Sequence, residues 1–270
     1  MKNYDKDENG KYKNVDFMHL VKLHELDCDF RHLIYKLIMN CEHLLKTNIL
    51  NYFSNNTEED GYEIVEEFLS KNKVLIINLH KNNKKKGCNQ NKKLNPYVNS
   101  LIEKYFTKDK DGKYNIPVWA FLEILTFKEL INFINFYCEK DNNYKPDFLT
   151  LLTPIKHLRN CSAHNNCLLI SFKNKIEIKE NQKLKSNIKN KNIFSKKNKL
   201  KILRNQIIND FLCLILIIDE MSIQKSQFKK ELLLFLKKCK DNSCYFKDNV
   251  YIKNHFVFIH KVVLSFIKKW

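Results

Sequence analysis

The hydrophobic positions of this chain recur at helical spacing over long stretches. The clearest stripe runs from Phe30 to Phe53, where apolar side chains follow the i, i+3, i+4, i+7 pattern of one helix face. Asp27 or Asp29 is predicted to cap the start of this helix. The same periodicity predicts further helices at Tyr62–Ser70, Pro96–Phe106, Pro117–Tyr137, from Asp147 through His164, and at about residues 201–221, 226–239 and 255–268.

Three segments break this pattern. Residues 1–14 are polar and are predicted to be a flexible N-terminus. Leu168–Ile178 alternates apolar and polar residues, as one arm of a small β-hairpin would. Residues 179–201 are rich in Lys and Asn and are predicted to form a flexible loop or an RNA-contacting arm. Because the chain has only four Gly and four Pro, we expect an all-α bundle, a single domain over residues 15–270 with additional C-terminal helices.

The charge balance favours a polyanionic partner, either nucleic acid or an anionic membrane surface. The chain carries 48 basic and 30 acidic residues, a formal net charge of +18. Candidate contacts to an RNA backbone are the clustered lysines Lys84, Lys85, Lys86, Lys196 and Lys197. The alternative stays open, because Lys and Asn also accumulate by compositional drift and a lysine run is often a solvated loop.

The cysteines are typical of reduced thiols, since the nine of them show no paired spacing. Residues 1–14 do not resemble a secretory leader, and the longest apolar run, Phe211–Ile218, is too short to cross a bilayer. We therefore expect a cytoplasmic protein without a membrane partner. Cys161, His164 and Cys167 cannot all face one point on a regular helix, so no metal or other cofactor is expected.

The arginines select positions for closer attention. Only Arg31, Arg159 and Arg204 stand among the 48 basic residues, so each is a candidate for a role that needs the planar guanidinium. His164 follows Arg159 by five residues, which places the two side chains about 140° apart on a regular helix. A shared site therefore requires a bend or a helix end between them, and Asn165-Asn166 is the candidate terminator.

Residues 159–164 read Arg-Asn-Cys-Ser-Ala-His and resemble the Arg-Asn-x-x-x-His signature of HEPN-domain proteins. Two further stretches resemble the Abi-like family of phage abortive-infection proteins, of the AbiD/AbiF type. Leu23–Arg31 is similar to that family's Leu-Tyr-Glu-Phe-Asp-Arg-x-Leu-Arg element, and Pro117–Leu130 to its Pro-x-Trp-x-x-x-Glu-x-x-Ser-Phe-Gly-x-Leu block. The motifs occur in the family's order over about residues 17–168.

The chain also departs from the family pattern. Cys28 stands where the family usually has Arg, and Lys128 stands where it has Gly. After His164 many relatives continue with a second His and Arg-x-Trp, whereas residues 165–168 here read Asn-Asn-Cys-Leu. Many relatives also carry a longer region before the first motif.

The resemblance implies an HEPN-like helical bundle with a metal-independent endoribonuclease centre, built from two motif copies at a homodimer interface. Arg159 would hold the phosphate, His164 would transfer a proton, and Asn160 would orient either of them. Glu42 would pair with Arg159 in a supporting role. Arg31 would support the site in the same way or hold Asp27.

Two other functions remain open at this stage. One is a non-catalytic RNA-binding protein that forms a ribonucleoprotein with a structured antitoxin or regulatory RNA. The other is a helical scaffold that contacts a phage or host protein. The first is favoured by the net charge and by the altered sequence after His164.

Overall fold

The computed structural model describes residues 3–56, 61–84, 96–169, 172, 178–194, 197–221 and 225–270. Among these residues there is no β-sheet, so the predicted all-α class is confirmed. The α-helices of this part of the chain are α1 (Phe17–Asn56), α2 (Tyr62–Lys71), α3 (Lys73–Lys84), α4 (Pro96–Tyr105), α5 (Val118–Ile124), α6 (Phe127–Lys140), α7 (Leu149–Ala163), α8 (Gln182–Asn190), α9 (Gln206–Met221), α10 (Lys225–Asp241) and α11 (Val250–Ile267).

Helix α1 begins thirteen residues before the predicted start at Phe30. Asp16 caps it, because its carboxylate accepts the backbone N–H of His19 at 3.0 Å. The predicted caps, Asp27 and Asp29, are wrong because both lie inside the helix. The first three turns carry a weak apolar stripe, and this hid them from the periodicity.

The helix predicted over Pro117–Tyr137 is two helices. α5 ends at Ile124, and Thr126 starts α6 with a reciprocal capping box. The Thr126 hydroxyl accepts the backbone N–H of Glu129 at 3.4 Å, and the Glu129 carboxylate accepts that of Thr126 at 2.8 Å. The Thr-x-x-Glu sequence is the signal for this break. The apolar periodicity continues through it and therefore predicted one helix.

The internal contacts divide the chain into two compact units. Unit 1 comprises residues 1–42 and 147–270, and unit 2 comprises residues 43–146. In unit 2, the Phe68 ring meets the rings of Phe121, Phe133 and Phe136 at centroid distances of at most 5.8 Å. The single domain predicted over residues 15–270 stays a prediction.

Unit 1 is built around α9, whose residues Ile207–Ile218 are all buried. Both α7 and α11 pack against this helix. The Phe30 ring of α1 lies 4.9 Å from the Phe211 ring and 5.0 Å from the Phe235 ring, measured between centroids. The apolar run noted in the sequence is therefore part of the central helix of unit 1, buried on every side.

Pro154 lies inside α7, where it removes the N–H that would bond to the carbonyl of Thr150. The Asn181 side chain donates to that carbonyl at 2.9 Å and so replaces the lost hydrogen bond. The Asn181 side chain also caps α8 by accepting the N–H of Leu184 at 3.0 Å. The Asn181 side chain therefore satisfies the free carbonyl of α7 and also caps the start of α8.

Helix α8 falls within the Lys/Asn-rich segment 179–201, for which a flexible loop was predicted. That prediction is wrong for Gln182–Asn190, because Leu184 and Ile188 are buried and hold the helix on unit 1. A 3₁₀ helix follows at Lys197–Arg204. Leu184 and Ile188 of α8 are spaced by four residues, a helical signal that the surrounding lysines obscured.

The N-terminal segment is more ordered than its polarity predicted. Asn3 is buried, and its side chain donates to the carbonyl of Leu169 at 2.6 Å. Tyr4 is buried beside it. The predicted hairpin arm Leu168–Ile178 lies mostly outside the described residues.

Helix α11 is the one helix in the described ranges that is long and apolar enough to cross a membrane by length and composition. Its apolar side, which includes Phe258, Val262 and Phe266, is buried in unit 1. A buried core helix passes the same test of length and composition, so this finding alone does not indicate a membrane span.

The packing of α7 on α9 yields a stability prediction. Ile155→Ala removes a side chain that is fully buried in unit 1, and it should lower the free energy of unfolding by about 2–5 kcal/mol. Thr153→Ala, on the exposed side of the same helix, is the matched control and should change it by less than about 0.5 kcal/mol. Urea unfolding followed by circular dichroism measures both, and equal effects would contradict this packing.

Candidate active site

The motif residues lie in the last turns of α7. The helix ends at Ala163, with His164 as its C-cap and Asn165 in the left-handed conformation at φ 53°. The N–H of Asn166 donates to the carbonyl of Cys161 at 3.0 Å, and that of Asn165 donates to the carbonyl of Ser162 at 3.2 Å. These bonds form a Schellman motif. The prediction that Asn165-Asn166 terminates the helix is confirmed.

Arg159 and His164 do not share a helix face. The helix is regular from Arg159 to Ala163, so the two positions stay about 140° apart around the axis. Arg159 is half-buried and lies on the side of Ile155 and Ser162, which are buried. The helix ends only at Ala163, so helix geometry does not place the pair on one face, and their convergence stays a prediction.

The exposed face of α7 carries different partners for His164. His157 precedes it by seven residues and Asn160 by four, which places all three within about 60° of one another. His164 and Asn160 are exposed, and the His157 side chain keeps 42% of its surface accessible. One helix therefore presents two imidazoles and an amide to solvent on the same side.

His157 is held by a buried carboxylate of α9. Its Nδ1 lies 2.7 Å from Asp210 Oδ2, and Asp210 is 1% exposed. The carboxylate also accepts from Asn209 at 3.2 Å and from Gln206 at 3.5 Å. On the other side of the ring, His157 Nε2 lies 3.7 Å from the Cys161 sulfur. A buried carboxylate that binds Nδ1 fixes the imidazole with Nε2 directed away from that carboxylate.

The surroundings shift the pKa values of both groups in this cluster. The hydrogen bond from Asp210 raises the pKa of His157, against a smaller opposing effect of burial. Burial raises the pKa of the Cys161 thiol, and the nearby Asp210 charge raises it further, while a hydrogen bond from Asn166 lowers it. The imidazolium is thus favoured and the thiolate disfavoured, so the chemistry of this cluster is proton transfer on His157.

A second buried carboxylate, Asp27 of α1, holds the chain just after α7. One oxygen of Asp27 accepts the backbone N–H groups of Leu168 and Leu169, both at 2.7 Å. The other oxygen pairs with the guanidinium of Arg31, which is 9% exposed. The prediction that Arg31 holds Asp27 is confirmed, so Arg31 acts on the motif through Asp27 and the backbone that follows His164.

The structure does not test the roles predicted for Glu42 and for the five RNA-binding lysines. Glu42 is half-buried on α1, and its pairing with Arg159 stays a prediction. The proposed RNA-binding side chains lie outside the part of the structure that can be described, namely Lys84, Lys85, Lys86, Lys196 and Lys197. Within the described residues no three His, Cys, Asp or Glu side chains are grouped to hold a metal ion.

A surface cavity of about 440 Å³ lies elsewhere in unit 1. It is lined by Tyr4, Asp5, Lys13, Asn14 and residues 248–251, none of which belongs to the motif helix. Asn160 and His164 instead lie on an open helix face. An open face suits a polymer backbone better than a small molecule that must be enclosed.

Sequence reasoning missed three residues of this arrangement. His157 was assigned no partner, although its spacing of seven from His164 is the signal for a shared helix face. Asp210 was read as part of an apolar helix, and a carboxylate within such a run is the signal that it needs a buried partner. Asp27 was predicted as a helix cap or as the partner of Arg31, and its contacts to the backbone of Leu168 and Leu169 were not predicted.

Comparison with known families assigns the class of this helical protein. The chain matches the model of the Abi-like protein family over residues 1–170, well over half of its 270 residues. It belongs to that family, whose members are associated with abortive infection, a form of phage defence. No curated protein and no solved structure matches the chain significantly.

The Asp27 contacts predict a large stability effect. Asp27→Ala leaves Arg31 buried without its counter-charge and two backbone N–H groups without an acceptor, so it should cost about 3–5 kcal/mol of unfolding free energy. Asp29→Ala is the matched control on the same helix. It breaks a half-exposed pair with Lys238 and should cost about 1 kcal/mol or less. Denaturant unfolding distinguishes the two, and a small effect of Asp27→Ala would contradict the anchoring role.

The Asp210–His157 pair predicts a pH-dependent stability. Folding raises the pKa of His157 above its unfolded value of 6.5. The contribution of the pair to stability is therefore complete below pH 6.5 and is lost as the pH rises through the folded pKa of His157. Asp210→Asn keeps an acceptor but removes the charge. The melting temperature should therefore fall further below wild type at about pH 5.5 than at about pH 8.5.

The control for this experiment is Asp29→Asn, whose partner is the lysine Lys238. Its effect should be nearly the same at both pH values, because a lysine does not titrate in this range. An Asp210→Asn deficit that is equal at both pH values would show that the carboxylate does not hold a protonated His157.

Proposed function

We propose that this Abi-like protein is a metal-independent endoribonuclease toxin of an abortive-infection system, with an active site completed at a homodimer interface. The single observation that carries the proposal is the exposure of His164 and Asn160 at the end of a helix anchored by two buried carboxylates, Asp27 and Asp210. Rigid anchoring with exposed polar tips is what a catalytic group on a scaffold requires.

The chemistry needs only groups that two copies of the motif supply, since each copy brings one imidazole and one guanidinium. The 2′-hydroxyl of RNA attacks the adjacent phosphorus, the bond to the 5′-oxygen breaks, and a cyclic 2′,3′-phosphate forms. One group must take the 2′ proton and another must protonate the leaving oxygen, and imidazole can do either near neutral pH. A guanidinium stabilises the extra negative charge of the transition state through two parallel hydrogen bonds.

The position of Arg159 supports a homodimer. Because it lies about 140° around the helix from His164, the two cannot meet one phosphate from a single straight helix. A two-fold axis near the end of α7 would bring the arginine of one protomer to the histidine of the other. Each of the two sites would then combine the arginine of one protomer with the histidine of the other.

A second function is favoured by the charge of +18. In this alternative the protein binds a structured non-coding RNA as an antitoxin or regulator and cuts nothing. Binding would weaken steeply with salt, because each phosphate contact releases counterions. The two functions can coexist if the bound RNA restrains cleavage of others.

Cleavage of a mixed RNA population by the purified protein, with and without a chelator, tests the proposal. Wild type should cut equally in both conditions. His164→Ala should lose about 10²–10⁴-fold in rate as a proton-transfer group. Arg159→Ala should lose about 10²–10³-fold as a charge-stabilising group.

Two matched variants control for the loss of a histidine or an arginine as such. His43→Ala removes an exposed histidine of unit 2, and Arg204→Ala removes an arginine that pairs with Glu180. Both should cut RNA at the wild-type rate. Intact RNA after incubation with wild type, together with salt-sensitive gel shifts, would replace the nuclease by the binding function.

A further inference from the structure

The exposed face of α7 contains more acid–base machinery than the six-residue motif. His157, Asn160 and His164 lie within about 60° of one another, and Arg159 lies on the opposite side. The rise between His157 and His164 is about 10 Å. A scissile phosphate between two hydrogen bonds of about 3 Å each fills most of that span.

We infer that His157 is the second proton-transfer residue of the same site, that it acts together with His164 of its own chain, and that Asp210 is its positioning residue. The inference rests on the proposed ribonuclease function and deepens it. The dimer is then needed to deliver an arginine, while each chain supplies both histidines.

The geometry around His157 gives it the role of general acid. Asp210 Oδ2 accepts from Nδ1 at 2.7 Å, so the proton available for transfer is on Nε2, the ring nitrogen that faces away from Asp210. The His157 side chain as a whole keeps 42% of its surface accessible. The hydrogen bond to Asp210 raises the pKa of His157 and so favours the protonated form that a general acid needs. His164, at the C-cap of the helix, is left as the base.

The proton balance of the step is complete. His164 takes the proton of the 2′-hydroxyl as the 2′-oxygen forms its bond to phosphorus. His157 Nε2 gives its proton to the 5′-oxygen as the bond from phosphorus to that oxygen breaks. The products are a 2′,3′-cyclic phosphate and a 5′-hydroxyl, and exchange with solvent water returns both imidazoles to their starting states.

The same cluster also suggests a cysteine nucleophile, because Cys161, His157 and Asp210 lie in series. The observations disfavour it. The sulfur is 3.7 Å from Nε2, and burial with the Asp210 charge raises the pKa of the thiol, so little thiolate forms. Cys161→Ala should therefore cut RNA at the wild-type rate.

A substrate with a sulfur in place of the bridging 5′-oxygen tests the general acid directly, because a thiolate leaves without protonation. On normal RNA, His157→Ala and His164→Ala should each lose at least about 10²-fold in rate. On the 5′-thio substrate His157→Ala should return to within about tenfold of wild type, and His164→Ala should stay impaired. Asp210→Asn should show the same rescue as His157→Ala in weaker form.

Mixing of variant chains tests whether both histidines act from one protomer. His157→Ala mixed with His164→Ala should stay inactive, because every site lacks one histidine. Arg159→Ala mixed with His164→Ala should recover up to about a quarter of wild-type activity, because half of the sites in the mixed dimers are intact. The second mixture is the matched control for chain exchange.

Each contrary outcome has a distinct meaning. Wild-type activity of His157→Ala on normal RNA, or equal loss on both substrates, would overturn the acid role while the ribonuclease function stands. Recovery in the His157→Ala and His164→Ala mixture would overturn the single-chain arrangement. Loss of activity in Cys161→Ala would transfer the chemistry to the thiol. An inactive wild type would overturn the proposed function, and the inference with it.

Discussion

Burial of the Asp210 carboxylate in the middle of α9 imposes a requirement that the rest of unit 1 satisfies. A carboxylate that is 1% exposed must be hydrogen-bonded or it destabilises the fold by several kcal/mol. His157 supplies the shortest of those bonds, at 2.7 Å, and so fixes the rotation of α7 against α9. That rotation decides which residues of the motif helix face solvent: His164 and Asn160 are outside, and Arg159 is turned towards the core.

A second carboxylate completes the anchoring. Asp27 takes the first backbone N–H groups after the turn that ends α7, and Arg31 neutralises its charge. The segment Leu23–Arg31 therefore has a structural role, because it holds the chain that follows the motif helix. Together the two carboxylates hold α7 before and after residues 159–164, so its exposed side chains are presented on a rigid element.

The sequence predicted the helical class, the end of α7 at Asn165-Asn166 and the Asp27–Arg31 pair, because periodicity, turn chemistry and i, i+4 spacing are local properties. It did not predict the partner of His157, because Asp210 lies 53 residues away and only tertiary packing joins them. The hydrogen bond from Asn181 to the carbonyl that Pro154 leaves free could not be predicted from the sequence for the same reason. The break at Thr126 was readable from its capping box and was masked by continuous apolar spacing.

The central claim is that the motif helix cuts RNA without a metal ion, through attack by the RNA's own 2′-hydroxyl, and the chemistry of the product ends tests it most directly. RNA cut by the wild-type protein in the presence of a chelator is ligated to adaptors that require either a cyclic phosphate or a 3′-hydroxyl at the upstream fragment. Attack by the 2′-hydroxyl predicts 2′,3′-cyclic phosphate and 5′-hydroxyl ends that disappear in His164→Ala. Fragments with 3′-hydroxyl and 5′-phosphate ends would contradict the account, because they require an attacking water instead of the RNA's own 2′-oxygen.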